Sequence, residues 1–209
     1  MASIQPRRGG LRWRSSRNGG LGTPPIIRRP VASAYGTALY TGDVVKVVSD
    51  GTVAVCGATD HPFAVVVGVE RYLGADSLVR SGSYLPASTT YTGTTSTDNP
   101  LASVLLLIPL LDQLFEADMD TAVATYTAAQ DLVGNCFNVI ATAAGSAVNG
   151  QSGYTMNEGS AATSNCQFIL KEVPTYGLGQ NTMNDPTVAY WKGVFEVNMA
   201  GTYAYLELI

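Results

Sequence analysis

The stretch Asp43-Val44-Val45-Lys46-Val47-Val48-Ser49-Asp50-Gly51-Thr52-Val53-Ala54-Val55 decides the fold class. Two valine-rich runs flank an Asp-Gly step, and such a step between apolar runs is a strong signal for a β-hairpin. A turn at Asp60-His61-Pro62 follows, and then a third strand from Phe63 to Tyr72. Its unbroken Ala64-Val65-Val66-Val67 run predicts a strand covered on both faces.

Working outward, Val104 to Ile108 is an apolar strand stopped by Pro109. Gln113 to Asp120 alternates, with Phe115, Ala117 and Met119 on one face and Glu116, Asp118 and Asp120 on the other. Further strands are expected at Cys136–Ala141, Ser152–Met156, Cys166–Val173, Tyr190–Asn198 and Thr202–Leu208, with a short helix near Ala128–Val133. Many short strands with turn signals between them predict an all-β sandwich or barrel of antiparallel strands, with at most one or two short helices. Residues 81–97 are uncharged and rich in Ser, Thr and Gly, and read either as a loop or as a contact surface carrying Tyr84 and Tyr91, with Tyr40 nearby. The expected organisation is an extended basic arm over 1–35, a barrel-like domain over 36–110, and a second β domain or a continuation of the same body over 111–209.

Only 13% of the 209 residues are charged, against a usual ~25%. From Leu132 to Leu170 the sole ionised side chain is Glu158. Sheets ordinarily guard exposed edges with charge, so these uncharged strands suit packing against other subunits. The longest apolar run, Leu101 to Leu111, is interrupted by Ser103 and Pro109, far short of the ~20 residues a helical membrane span requires.

The charge is divided unevenly. Residues 1–30 carry seven arginines and no acid, for +7, while residues 31–209 carry −11, giving the net −4. Gly9-Gly10, Gly19-Gly20, Pro24-Pro25 and Pro30 deny this arm a helix or a central strand, so it is expected to need a partner to be ordered. Arg7, Arg8, Arg12, Trp13, Arg14, Arg17, Arg28 and Arg29 are its candidate binding residues. Arginine favours bidentate interface ion pairs, and Trp13 is a natural anchor for a protein pocket. Nucleic acid is the lesser alternative, through guanidinium–phosphate contacts and stacking on Trp13. Glu116, Asp118 and Asp120 form an acidic face on which a neighbouring arm could dock; solvated or ion-paired carboxylates, or a calcium site, are the other readings.

No catalytic motif emerges. His61 is the sole histidine, Gly150-Gln151-Ser152-Gly153 is not a nucleophile elbow, and Gly177-Leu178-Gly179 is an isolated glycine pair. No cofactor is implied. Cys56, Cys136 and Cys166 lack metal-site spacing and read as three thiols of a reducing cytosol, a Cys136–Cys166 bond being the minor alternative. No secretory signal or N-glycosylation sequon is read in the chain.

Three segments together resemble the small β-barrel decoration proteins of tailed-bacteriophage heads: Tyr40-Thr41-Gly42-Asp43-Val44-Val45, Ser49-Asp50-Gly51-Thr52-Val53, and Asp60-His61-Pro62-Phe63-Ala64-Val65-Val66-Val67-Gly68-Val69. Phe115-Glu116-Ala117-Asp118, Gly150-Gln151-Ser152-Gly153-Tyr154 and Val194-Phe195-Glu196-Val197-Asn198 are similar to segments of tailed-phage virion proteins. The resemblance spans about residues 36–199 and excludes the arm and the tail after Asn198. It implies a non-enzymatic cement protein, assembled in the host cytoplasm. Such a protein sits on the outer capsid surface, often as a trimer, and bridges neighbouring major capsid protein subunits. Two other readings stand beside it: a tail, adaptor or head-fibre-base component, and a capsid protein whose arm contacts nucleic acid.

Overall fold

The computed structural model describes residues 9–17, 22–32, 35–74, 78–87, 103–141, 143–162, 166–176 and 183–199. Arg7, Arg8, Tyr91, Gly177-Leu178-Gly179 and the strand expected at Thr202–Leu208 lie outside these residues. The described chain is an all-β sandwich of antiparallel sheets with one short helix.

The first large sheet contains β1 (Arg12–Ser16), β10 (Gln113–Asp118), β11 (Cys136–Ala141), β12 (Tyr154–Ala162), β13 (Phe168–Glu172) and β14 (Lys192–Val197), in the order β1-β10-β14-β13-β11-β12. The second contains β2 (Ile27–Pro30), β4 (Val44–Val47), β5 (Val53–Val55), β6 (Ala64–Leu73) and β9 (Val104–Pro109), in the order β2-β9-β6-β4-β5. A short strand β7 (Val79–Gly82) extends the far end of β6, and β3 (Leu39–Tyr40) pairs with β8 (Tyr84–Leu85). Each large sheet curls back on itself through a single bridge, Met119 to Met156 in the first and Val31 to Val53 in the second. Neither ladder runs on as a closed barrel among the described residues.

The Asp43–Val55 hairpin forms as its sequence dictates. Val45 pairs with Val55 and Val47 with Val53, and Gly51 takes the left-handed conformation at φ 81°. β6 is covered on both faces. Val65 enters one core and Val67 packs against it, while Ala64, Val66 and Val69 enter the other. The larger core joins Val44, Val65 and Ile108 of the second sheet to Phe115, Phe137, Phe168 and Phe195 of the first. It therefore draws on both the 36–110 and the 111–209 segments, and each such buried side chain contributes about 1.5–3 kcal/mol. The smaller core lies on the opposite face of the second sheet, around Val53, Leu85, Leu105 and Leu107.

The helix α1 (Tyr126–Asp131) begins two residues earlier than expected, because the Thr125 side chain caps it by accepting from the Ala128 N–H. Gly134, at φ 94°, carries the chain out of it. Within 81–97, Tyr84 is in a strand and stacks on Tyr40 with ring centroids 5.4 Å apart; residues 88–97 lie outside the described residues.

Two expectations are corrected. Residues 12–16 and 27–30 are ordered on the chain's own body, as edge strands of the two sheets. Edge positions are those that proline- and glycine-rich sequence permits, and each strand needs a ladder partner on one side only. Second, Cys136 and Cys166 form a disulfide, while Cys56 stays a buried thiol. Both cysteines lie where β13 meets β11: Cys136 pairs with Ile169, and Cys166 stands two residues before the Phe168–Phe137 pair. The sequence offers this bond only as the minor alternative to three free thiols.

Candidate functional site

The candidate site is the clasp formed where β1 lies along β10. The chain enters it by threading between the two sheets. The Gly10 N–H donates to the Tyr154 carbonyl at 2.7 Å and the Leu11 N–H to the Gly42 carbonyl at 2.9 Å. Gly9 and Gly10 take φ 49° and 75°, and a Cβ on Gly10 would stand 2.7 Å from Gly42 Cα. Only glycine fits so close an approach at positive φ. Leu11 then inserts into the larger core, and β1 starts.

β1 sets Arg12 opposite Glu116, and the β10–β14 ladder sets Asp118 opposite Lys192. The four side chains form one cluster. Arg12 Nη2 lies 2.9 Å from Glu116 Oε1 and 3.8 Å from Asp118 Oδ1. Lys192 Nζ lies 2.7 Å from Asp118 Oδ1, and the Gly9 N–H donates to Asp118 Oδ2 at 3.2 Å. Glu116, Asp118 and Lys192 have no exposed side-chain surface. Two cations and two anions make the cluster neutral, which is the condition for charges so deeply buried to be tolerated.

The surrounding backbone fixes Lys192. Asn184, itself buried, accepts from the Lys192 N–H at 2.7 Å and donates to the carbonyls of Lys192 and Pro174. Tyr190 holds the left-handed φ of 66°, and its carbonyl accepts from Lys192 Nζ at 2.6 Å. A non-glycine residue pays about 1–3 kcal/mol for such a backbone. Burial pushes the Lys192 amine below the usual lysine range, and the Asp118 charge opposes that shift.

The other described arm residues also bind within the chain. Trp13 packs against the larger core and donates from Nε1 to Gln113 Oε1 at 2.7 Å. Arg14 pairs with Glu172, and Arg17 shares Glu196 with Lys171. Arg28 pairs with Glu70, and the Arg29 guanidinium stands 5.8 Å from the centre of the Phe63 ring. The acidic face is thus an ion-paired docking face, as one reading of it required, but it is buried and its arginine comes from the same chain. Asp120 lies apart, accepting from the Glu158 N–H at 2.8 Å. Among the described residues, no three acidic, histidine or cysteine side chains are grouped to hold a metal.

Three features escaped the sequence reading. Lys192 opens a strand whose one other charged residue is Glu196, in a chain with only three lysines, and that scarcity was the available signal. Asp43 is buried, accepts from the Tyr40 N–H at 2.8 Å, and has its carboxyl pushed up to about 6 by desolvation, against hydrogen bonds from Ser152 and Tyr40. The third is a cavity of about 460 Å³ between the sheets, lined by Val47, Phe63, Leu110, Leu111 and Met199, with the Lys46–Asp60 ion pair and His61 on its polar side. Burial pushes the Cys56 thiol up to about 12, away from the thiolate form. No helix among the described residues is long and apolar enough to cross a membrane. No known family model, curated protein or solved structure matches the chain.

Proposed function

We propose that the protein is a structural component of a tailed-phage particle. In this reading it binds the outer surface of the capsid and stabilises it by bridging neighbouring major capsid subunits, with no catalytic turnover of its own. One observation supports this reading most. Every described arm arginine (Arg12, Arg14, Arg17, Arg28 and Arg29) meets a carboxylate or an aromatic ring of its own body. A chain with few charges thus turns its arm inward, and is left with exposed apolar side chains such as Leu78, Val79, Val148, Tyr176 and Met183. Such a surface suits shallow, repeated contacts with other subunits, whose modest affinities combine when one molecule touches two or more.

In this reading the bridging contacts lie on the outer strands and loops of the body, with the arm as an internal brace. The test is co-sedimentation of the purified protein with expanded capsids that lack it. Saturable binding at hundreds of copies per particle, with a raised disruption temperature, is expected. Capsids that bind none, or only a handful at one vertex, overturn the reading; the latter result moves the protein to the tail or portal.

A further inference from the structure

We propose that Lys192 and Asp118 condense to an intramolecular isopeptide bond, and that the docked N-terminal strand supplies the groups that promote it. The proposal rests on the geometry of the clasp and is independent of the capsid reading.

The amine and the carboxyl are cross-strand partners in the β10–β14 ladder, with Nζ 2.7 Å from Oδ1 and neither side chain exposed to water. Nζ also donates to the Tyr190 carbonyl at 2.6 Å, which fixes the amine beside the carboxyl. The two reacting groups are held together in one orientation, where effective concentrations far exceed those of free reactants. Water, the competitor that favours the ionised pair and hydrolysis of the product, is excluded.

The steps balance without any added reagent. One proton passes from the ammonium to Oδ1 across the existing contact, giving an amine and a carboxylic acid. Burial favours the uncharged form of the Lys192 amine, the form that carries the lone pair. The nitrogen lone pair then attacks Asp118 Cγ and the N–C bond forms. The C=O electron pair moves onto Oδ2, where the Gly9 N–H already donates. Oδ1 takes the second proton from nitrogen and leaves as water. The C=O bond to Oδ2 re-forms, and one hydrogen remains on the amide nitrogen. Overall, an ammonium and a carboxylate become a secondary amide plus one water.

The N-terminal strand assists twice. The Gly9 N–H is an oxyanion donor, and the Arg12 guanidinium, 3.8 Å from Oδ1, adds positive charge beside the carboxyl. Glu116 is a positioning residue that holds Arg12 at 2.9 Å. The bond would tie β10 to β14 at the centre of the first sheet, and it would form only after residues 9–12 have docked.

The experiment is an intact-mass measurement of the purified full-length protein after reduction of its disulfide. The expected mass is one water below the sequence mass. Trypsin is expected not to cut after Lys192, and a branched peptide joining the segments around 118 and 192 should be recovered. Lys192→Arg and Asp118→Ala are each expected to return the full sequence mass. Arg12→Gln is expected to leave a larger fraction of the freshly expressed protein at the full sequence mass while its circular dichroism spectrum stays native. A folded wild-type protein at its full sequence mass overturns the proposal, as does a water loss that persists in either Lys192→Arg or Asp118→Ala.

Discussion

Arg12 and Glu116 face each other across the β1–β10 ladder, with a guanidinium nitrogen 2.9 Å from a carboxylate oxygen that has no contact with water. The pair joins the most basic part of the sequence to the interior of the acidic body. It also makes β1 part of the fold. Removing the cation leaves an uncompensated charge in the core, which costs far more than the pair itself contributes.

Arg12→Ala is therefore expected to lower the unfolding free energy by about 3–5 kcal/mol. Arg14→Ala, which breaks an exposed pair with Glu172, is expected to cost under about 1 kcal/mol. Urea titrations of the two variants test the contrast. Equal losses would contradict the assignment of Arg12 to a buried cluster.

Asp43 makes stability depend on pH in the direction opposite to a salt-bridged carboxylate. Its folded-state value of about 6 exceeds the ordinary 3.8, so the fold favours the protonated form. Its contribution is greatest below about pH 4 and falls by roughly 3 kcal/mol as the pH rises through 6. Asp43→Asn keeps an acceptor for the Tyr40 N–H and removes the charge. The variant should be the more stable protein at pH 7.5, with the gap closing towards pH 4. A variant less stable than wild type at pH 7.5 would show that the ionised form is the favoured one.

Two glycines with positive φ separate steric clash from backbone strain. Gly10, at φ 75°, has Gly42 Cα 2.7 Å from where a Cβ would sit, whereas Gly134, at φ 94°, has open space there. Gly134→Ala is expected to cost about 1 kcal/mol and Gly10→Ala at least twice that, through displacement of the arm. Thermal melts of the two variants measure the difference, and similar melting points would mean that residues 9–11 do not thread between the sheets.

The disulfide closes a sequence separation of 30, and on loop entropy alone its loss should cost about 3.5 kcal/mol. Unfolding in urea with and without reductant checks this. An unchanged midpoint after confirmed reduction would mean that the cross-link adds nothing to the fold.

Local pattern carried much of the architecture. The Asp50-Gly51 turn, the valine runs and the alternation from Gln113 to Met119 identify strands because side chains on a pleat alternate between faces. What local pattern could not decide was non-local. The tie between Cys136 and Cys166 depends on β13 lying beside β11, and the burial of Lys192 depends on β14 lying beside β10. The arm was misjudged for the same reason. Its glycines and prolines do forbid a helix, yet the body offers two sheet edges, one with Glu116 in register with Arg12 and one with Glu70 of the next strand within reach of Arg28. Nothing within residues 1–30 reports those edges.

The most direct test of the functional account is cryo-electron microscopy of the particle that contains this protein, read for its location and copy number. The account predicts hundreds of copies on the outer shell, each spanning neighbouring capsid subunits, with residues 12–16 lying along β10. Copies confined to one vertex, or arms directed at packaged nucleic acid, would contradict it.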